Sequence, residues 1–241
     1  MPELPEVETV VRDLRPLLVG SRIASVVRAS RKALRKPWCP GWHAGLCGRR
    51  IGRVERRGKW IVLGLEEDCH LVIHLGMTGQ LTVVPAEEPV TPHTHLVFSL
   101  GEGERQLRFR DIRRFGSATL FGTRGELEEC FTAAGLGPEP FDLDPRYWRE
   151  RLTATARCLK AVLLDQRVVA GVGNIYADES LFQARLHPAL PGRGLGAGAA
   201  DRLRRALTTV LGRAIARRGS SIRNYIGGSG LRGGYQNEFR A

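Results

Sequence analysis

The sequence predicts an α+β chain: an N-terminal antiparallel β-sandwich entered through a helix, followed by a helical C-terminal part. Three observations carry this reading. Apolar residues repeat at helical spacing over the first eighteen positions. Eight short β-rich runs follow, separated by frequent glycines, with no helix between them. After Gly125 the periodicity becomes helical. Short strands in series without crossover helices favour an antiparallel sandwich or barrel over a parallel sheet.

In chain order, Leu4, Val7, Val10, Val11, Leu14, Leu17 and Leu18 mark one face of an opening helix that Gly20 stops, and the first three residues precede it, free to point elsewhere. The strands expected next are 22–27, 51–54, 60–65, 70–75, 80–84, 95–100, 106–109 and 118–121. Prolines and glycines in GLGPEPFDLDP, residues 135–145, mark a linker. Helices are expected at 146–152, 158–164, 174–184 and 199–217. The last sets Leu203, Leu207, Val210, Leu211, Ala214 and Ile215 on one face and arginines around the rest. GGSGLRGGYQ, residues 227–236, reads as a mobile loop. The expected divisions are a β-sandwich domain over 1–130, a linker over 131–145 and a helical domain over 146–241.

With 42% apolar residues among 241, the chain can build an ordinary core, and disorder as its main state is excluded. No apolar run approaches the roughly 18 to 20 residues of a membrane span, and the acidic start MPELPEVET has neither part of a secretion signal, so a cytoplasmic protein without a membrane partner is expected. The five cysteines, Cys39, Cys47, Cys69, Cys130 and Cys158, are odd in number and never spaced as a CxxC pair; neither a disulfide framework nor a complete zinc site can be read from them. The net charge of +12 points to a polyanionic partner, nucleic acid ahead of an acidic membrane surface. The charge is uneven, since residues 131–241 hold 17 basic against 9 acidic side chains. Only Lys32, Lys36, Lys59 and Lys160 are lysines among the 37 cations; arginine is the default cation, largely as a compositional bias.

Pro2 carries the first chemical suggestion. A small second residue permits removal of the initiator methionine, and the chain would then begin with a secondary amine, whose pKa near 7.7 to 8 leaves a useful fraction unprotonated. Such an amine attacking a sugar C1′ releases a base and gives a cationic iminium, an electron sink that acidifies C2′ and promotes strand breakage. Glu3 could serve as general acid to the ring oxygen. Alone, Met-Pro-Glu reads first as an ordinary helix N-cap.

Set beside RRGKW (56–60), HLGMTGQL (74–81), DIRRFG (111–116) and GVGNIYADESLF (171–182), the opening MPELPEVETVVRDL resembles the bacterial formamidopyrimidine-DNA glycosylase family over essentially the entire chain. PELPEVET favours this branch over the endonuclease-VIII branch, which tends to start PEGPE. The resemblance implies a monomeric bifunctional glycosylase and abasic-site lyase that excises oxidised purines from duplex DNA by a proline Schiff base and β,δ-elimination. An oxidised-pyrimidine glycosylase, or a catalytically impaired damaged-DNA-binding protein, is the alternative.

Carried over residue by residue, the resemblance makes Pro2 the nucleophile, Glu3 the acid/base and Glu6 a supporting acid. Lys59, expected at a hairpin tip as a flexible ammonium, matches the lysine that contacts a phosphate beside the lesion. Met77, Arg113 and Phe115 match the residues inserted into the hole left by the flipped nucleotide, where a thioether and a phenyl ring can wedge and a guanidinium can bond the orphaned base. Lys160 and Asn174 match the backbone grip of a helix-two-turns-helix element, with Asn174 also placed as a helix N-cap. His93 and His95 fall near a DNA-contacting position, whereas His70 and His74 read as structural. The family continues into a hairpin finger whose four cysteines bind zinc. This chain stops at Glu238-Phe239-Arg240-Ala241, before that finger, and none of its five cysteines can substitute, so no cofactor is expected within it.

Overall fold

The computed structural model describes residues 1–30, 34–220 and 233–241. Most of the glycine-rich stretch expected as a loop therefore lies outside the described residues, and its end passes into a 3-10 turn at Tyr235–Glu238.

Helix α1 (Leu4–Leu18) carries Pro5 in its first turn, where the missing N–H is not needed as a donor, and is left behind by Gly20 at φ 89°. Its apolar stripe is buried against β2 (Ile51–Arg57), β3 (Trp60–Leu65) and β5 (Gly79–Pro85). The remaining strands are β1 (Ile23–Arg28), β4 (His70–His74), β6 (Thr94–Leu100), β7 (Arg105–Asp111) and β8 (Ser117–Phe121). They form two antiparallel four-stranded sheets, ordered β1-β6-β7-β5 and β2-β3-β4-β8. Ile51, Ile61, Leu63, Leu71 and Ile73 face Leu81, Leu96, Phe98, Leu107 and Phe109 in one core that α1 helps to close. The fold is the expected mixture of sandwich and helices.

One helix interrupts the strand series that the sequence predicts, and a second follows its last strand. Five-residue α2 (Trp42–Leu46) is too short to show a period; the edge-to-face contact of Trp42 with Trp38, centroids 5.1 Å apart, and buried Leu46 hold it. In α3 (Arg124–Ala133), Thr123 caps the first turn through Glu126 N at 3.2 Å, and Leu127 and Phe131 cover Val62 and Val72 on the outer face of the second sheet. With both faces covered, β3 is a continuous apolar run rather than an alternating one.

The C-terminal core is built by α4 (Pro145–Thr153), α5 (Leu159–Leu164), α6 (Asn174–Ala184) and α7 (Ala197–Ala216) around Trp148, Leu163, Tyr176, Leu203 and Leu207. Trp148 Nε1 donates to Ala200 O at 3.0 Å, which settles the indole's only polar atom. The two halves meet at the linker. Glu139, three-quarters or more shielded from water, accepts from Arg56 Nη1 at 2.6 Å, Arg57 Nη1 at 3.2 Å and Gly58 N at 2.6 Å. The tip of the β2–β3 hairpin is thereby fastened to the linker.

Candidate active site and DNA interface

Strand register brings the sequence motifs together. Trp60 pairs with His74, and His74 with Ser117, so the β2–β3 tip bearing Lys59, the turn after β4 bearing Met77 and the loop before β8 bearing Arg113 and Phe115 share one end of the second sheet. The Trp60 and His74 rings meet there at a tilt, centroids 4.6 Å apart. Half-buried His74, next to Lys59 and Arg35, is held neutral, its pKa lowered to about 4 chiefly by loss of hydration.

The N-terminus docks on the loop Gly171–Val172–Gly173. Leu4 N donates to Gly171 O at 3.0 Å. The Glu3 carboxylate accepts from Gly173 N at 2.7 Å, Ile175 N at 3.0 Å and Tyr176 N at 3.4 Å. It therefore occupies the anion-binding N-terminus of α6. Asn174, expected as the cap, is instead the first residue of the helix; Gly173 holds the cap position without a side chain to cap with, and Glu3 takes over the role from 170 residues away. The first residues are thus not free to point elsewhere: Pro2 is buried and Glu3 is only 4% exposed, while Met1 is exposed.

The glycines of GVG are required by this docking. A Cβ on Gly173 would lie 2.3 Å from Glu3 Cδ, and one on Gly171, at φ 87°, would lie 2.7 Å from Leu4 Cβ. Gln166 braces the loop from inside, donating to Val172 O at 2.8 Å and accepting from Gly171 N at 2.9 Å. Its role has no sequence signature, since a lone glutamine in a loop looks like any other.

Lys59 is not the solvated tip that its turn suggests. It is 7% exposed and donates to Val172 O at 2.9 Å, because the tip lies against the same loop that holds Glu3. Burial lowers its pKa, opposed by the nearby charges of Glu3 and Glu6. Burial also raises Glu3 to about 7, helped by the charge of Glu6 and opposed by Lys59 and the amides of Ile175 and Tyr176. Desolvation thus outweighs the helix terminus. Glu6, likewise raised by burial, accepts from Glu3 N at 2.8 Å, Ser220 N at 2.8 Å and the Tyr176 hydroxyl. A carboxyl poised near neutrality beside a buried amine is suited to proton transfer at physiological pH.

Met77 and Phe115 lie at 38% and 45% exposure, so neither belongs to the sandwich core, and the Arg113 guanidinium rests over the Phe115 ring 4.8 Å from its centroid. Lys160 Nζ bonds Asp178 Oδ2 at 2.8 Å, one turn beyond Asn174, so both expected grip residues border the exposed start of α6. His93 is exposed; His95, against the sequence expectation of a contact surface, is buried and bonds Asp111 O through Nε2 at 2.9 Å. Among the described residues no group of three or more His, Cys, Asp or Glu side chains is arranged to hold a metal ion.

Strand register and the docked N-terminus thus gather the sequence motifs where the sandwich meets the helical half. Residues 1–118 match the formamidopyrimidine-DNA glycosylase N-terminal domain and residues 136–225 the H2TH domain of that enzyme. The chain belongs to the formamidopyrimidine-DNA glycosylase family. It is 43% identical to the formamidopyrimidine-DNA glycosylase of Chloroflexus aggregans, over 99% of this chain and 86% of the relative. A Lactococcus lactis Fpg variant bound to DNA containing Fapy-dG superposes with a TM-score of 0.91 at 34% identity, over 99% of this chain and 87% of that one. The same organism's Fpg bound to DNA with an abasic site gives 0.90 at 34% identity, over 98% and 86%.

Proposed function

We propose that the enzyme excises oxidised purines, formamidopyrimidines and 8-oxoguanine, from duplex DNA and then cuts the strand as an abasic-site lyase, acting as a monomer. The observation that carries this is Glu3 at about pKa 7, hydrogen-bonded to the start of α6 and immediately next to Pro2.

Removal of exposed Met1 turns the Pro2 nitrogen from an amide into a secondary amine. Its lone pair forms the N–C1′ bond as the glycosidic bond breaks, and the base leaves with that bond's electrons and takes up the proton that the proline nitrogen sheds. Protonated Glu3 hands its proton to O4′ as the sugar ring opens, which leaves a cationic iminium at C1′. Loss of the C2′ proton then expels the 3′ phosphate, and a second elimination expels the 5′ phosphate. Lys59 contributes positive charge beside these phosphates, and Glu6 keeps the Glu3 backbone in place through the 2.8 Å bond. Met77, Arg113 and Phe115 fill the vacated stack, while Lys160, Asn174 and His93 hold the backbone. The Lactococcus lactis complexes with Fapy-dG and abasic-site DNA support the same substrate class here.

Borohydride trapping on 8-oxoguanine duplex tests the reading, because reduction of the iminium joins enzyme to DNA covalently. A trapped adduct whose peptide begins at Pro2 is expected. Absence of an adduct with any lesion would end the Schiff-base assignment, and preference for thymine glycol over 8-oxoguanine would move the substrate class to oxidised pyrimidines.

A further inference from the structure

Two separate loops carry the three wedge residues, Met77 after β4 and Arg113 with Phe115 after β7. Nothing in the spacing of HLGMTGQL and DIRRFG says whether they move together. Asp111, fully buried at the end of β7, answers this. Its Oδ1 accepts from Thr78 Oγ1 at 2.5 Å and from Arg113 N at 3.2 Å, and its Oδ2 accepts from Gly116 N at 2.8 Å. Arg113 N also approaches Thr78 Oγ1 at 3.0 Å. One carboxylate thus holds both ends of the second loop and the residue after Met77 in the first.

The backbones make the same joint. Gly76, at φ 62°, has no room for a Cβ, which would meet Gly116 N and Phe115 C at 2.5 Å. Gly116 is equally confined, since a Cβ there would meet Phe109 Cζ at 2.7 Å and His74 O at 2.8 Å. The glycines let the two turns touch, and the carboxylate and hydroxyl fix their mutual position.

We infer that Asp111 and Thr78 are positioning residues that lock the two wedge loops into one rigid unit, so that recognition of the base opposite the lesion by Arg113 depends on the loop that carries Met77. The inference rests on the wedge reading of Met77, Arg113 and Phe115. Neither Asp111 nor Thr78 needs to touch DNA for this, and their effect belongs to the opposite-base preference rather than to the chemistry at C1′. Thr78 is half-buried, so replacing its hydroxyl by a methyl group removes the cross-loop bond with little change of volume.

The test compares Thr78→Val, Thr78→Ser and Arg113→Ala with the wild type, using excision of 8-oxoguanine opposite cytosine and opposite adenine, and borohydride trapping on a pre-formed abasic site. Thr78→Val should reduce the cytosine-over-adenine preference about tenfold, the low end of what a hydrogen bond to a charged group supplies, with the trapping rate unchanged. Thr78→Ser should restore the preference. A merely structural role would lower both activities together and would not be rescued in one alone, and that result would overturn the inference. Wild-type preference in Thr78→Val, when Arg113→Ala has lost it, would overturn the inference and leave the wedge reading standing. Unchanged preference in Arg113→Ala would overturn the wedge reading and this inference with it.

Discussion

At the scale of single residues, the site is governed by burial. Glu3 accepts three backbone hydrogen bonds, which alone would push a carboxyl down, yet it titrates near 7 because water is excluded from it. Two outcomes follow from the sign of that shift. If protonated Glu3 is the acid, excision should fall as pH rises through about 7, and Glu3→Gln should remove that limb and slow excision roughly 10²- to 10⁴-fold with duplex affinity nearly intact. A pH profile of single-turnover excision checks both. The folded pKa lies above the ordinary 4.5, so folding favours the protonated form, and this stabilisation is complete below about 4.5 and lost as pH rises to about 7. Wild-type protein should therefore lose stability as pH rises from about 4.5 through about 7, by roughly 3 kcal/mol from this group. Urea unfolding of Glu3→Gln should show a smaller loss over the same interval.

At the scale of elements, the start of α6 serves two ends at once. Its amides bind Glu3 on the inner side, and its outer side carries Asn174 with Lys160 beside it. Gly173→Ala would drive a Cβ into Glu3 and displace the carboxylate into water. We expect it to lower excision about as much as Glu3→Gln and to return the pH limb toward the usual carboxylate range, measured in the same profile. Lys160→Met and Asn174→Ala should weaken binding to every duplex alike, since phosphate contacts carry no sequence information. Only the loss of the lysine removes a cation, so Lys160→Met alone should flatten the salt dependence of log K by about 0.9. A titration against salt separates the two.

At the scale of the whole molecule, the two halves are fastened twice, by the docked N-terminus and by Glu139 with Arg56, Arg57 and the Gly58 amide. Arg56 also bonds Glu8 of α1 at 3.0 Å, so hairpin, helix and linker share one charged joint. Removing the Glu139 charge leaves Arg56 with Glu8 as its remaining carboxylate and Arg57 with backbone carbonyls alone, a loss of about 1 to 3 kcal/mol. Glu139→Gln should lower stability by that order, and, because the same hairpin tip presents Lys59 to the Val172 carbonyl, it should also reduce excision. Calorimetry and single-turnover excision at one temperature check the pair of effects. Cooling to restore stability while excision stays low would show that the joint positions Lys59 as well as holding the fold.

The sequence by itself determined the alternation of helix, strands and helices, because apolar period is local and burial of one face follows from it. It also carried the family motifs, with Pro2, Glu3, Lys59, Met77, Arg113, Phe115, Lys160 and Asn174 among their residues. Short α2 escaped because five residues do not complete a readable period, and β3 reads as a continuous apolar run because α3 covers its outer face. What only the tertiary structure decided are the properties that depend on residues distant in sequence. Asn174 lost the cap to Glu3, Lys59 exchanged solvent for the Val172 carbonyl, His95 turned inward to Asp111, and Gln166, Glu139 and Thr78 acquired partners that no local pattern announces. Desolvation and long-range hydrogen bonds are set by what packs around a group, and that is fixed only when the two sheets and the helical half have met.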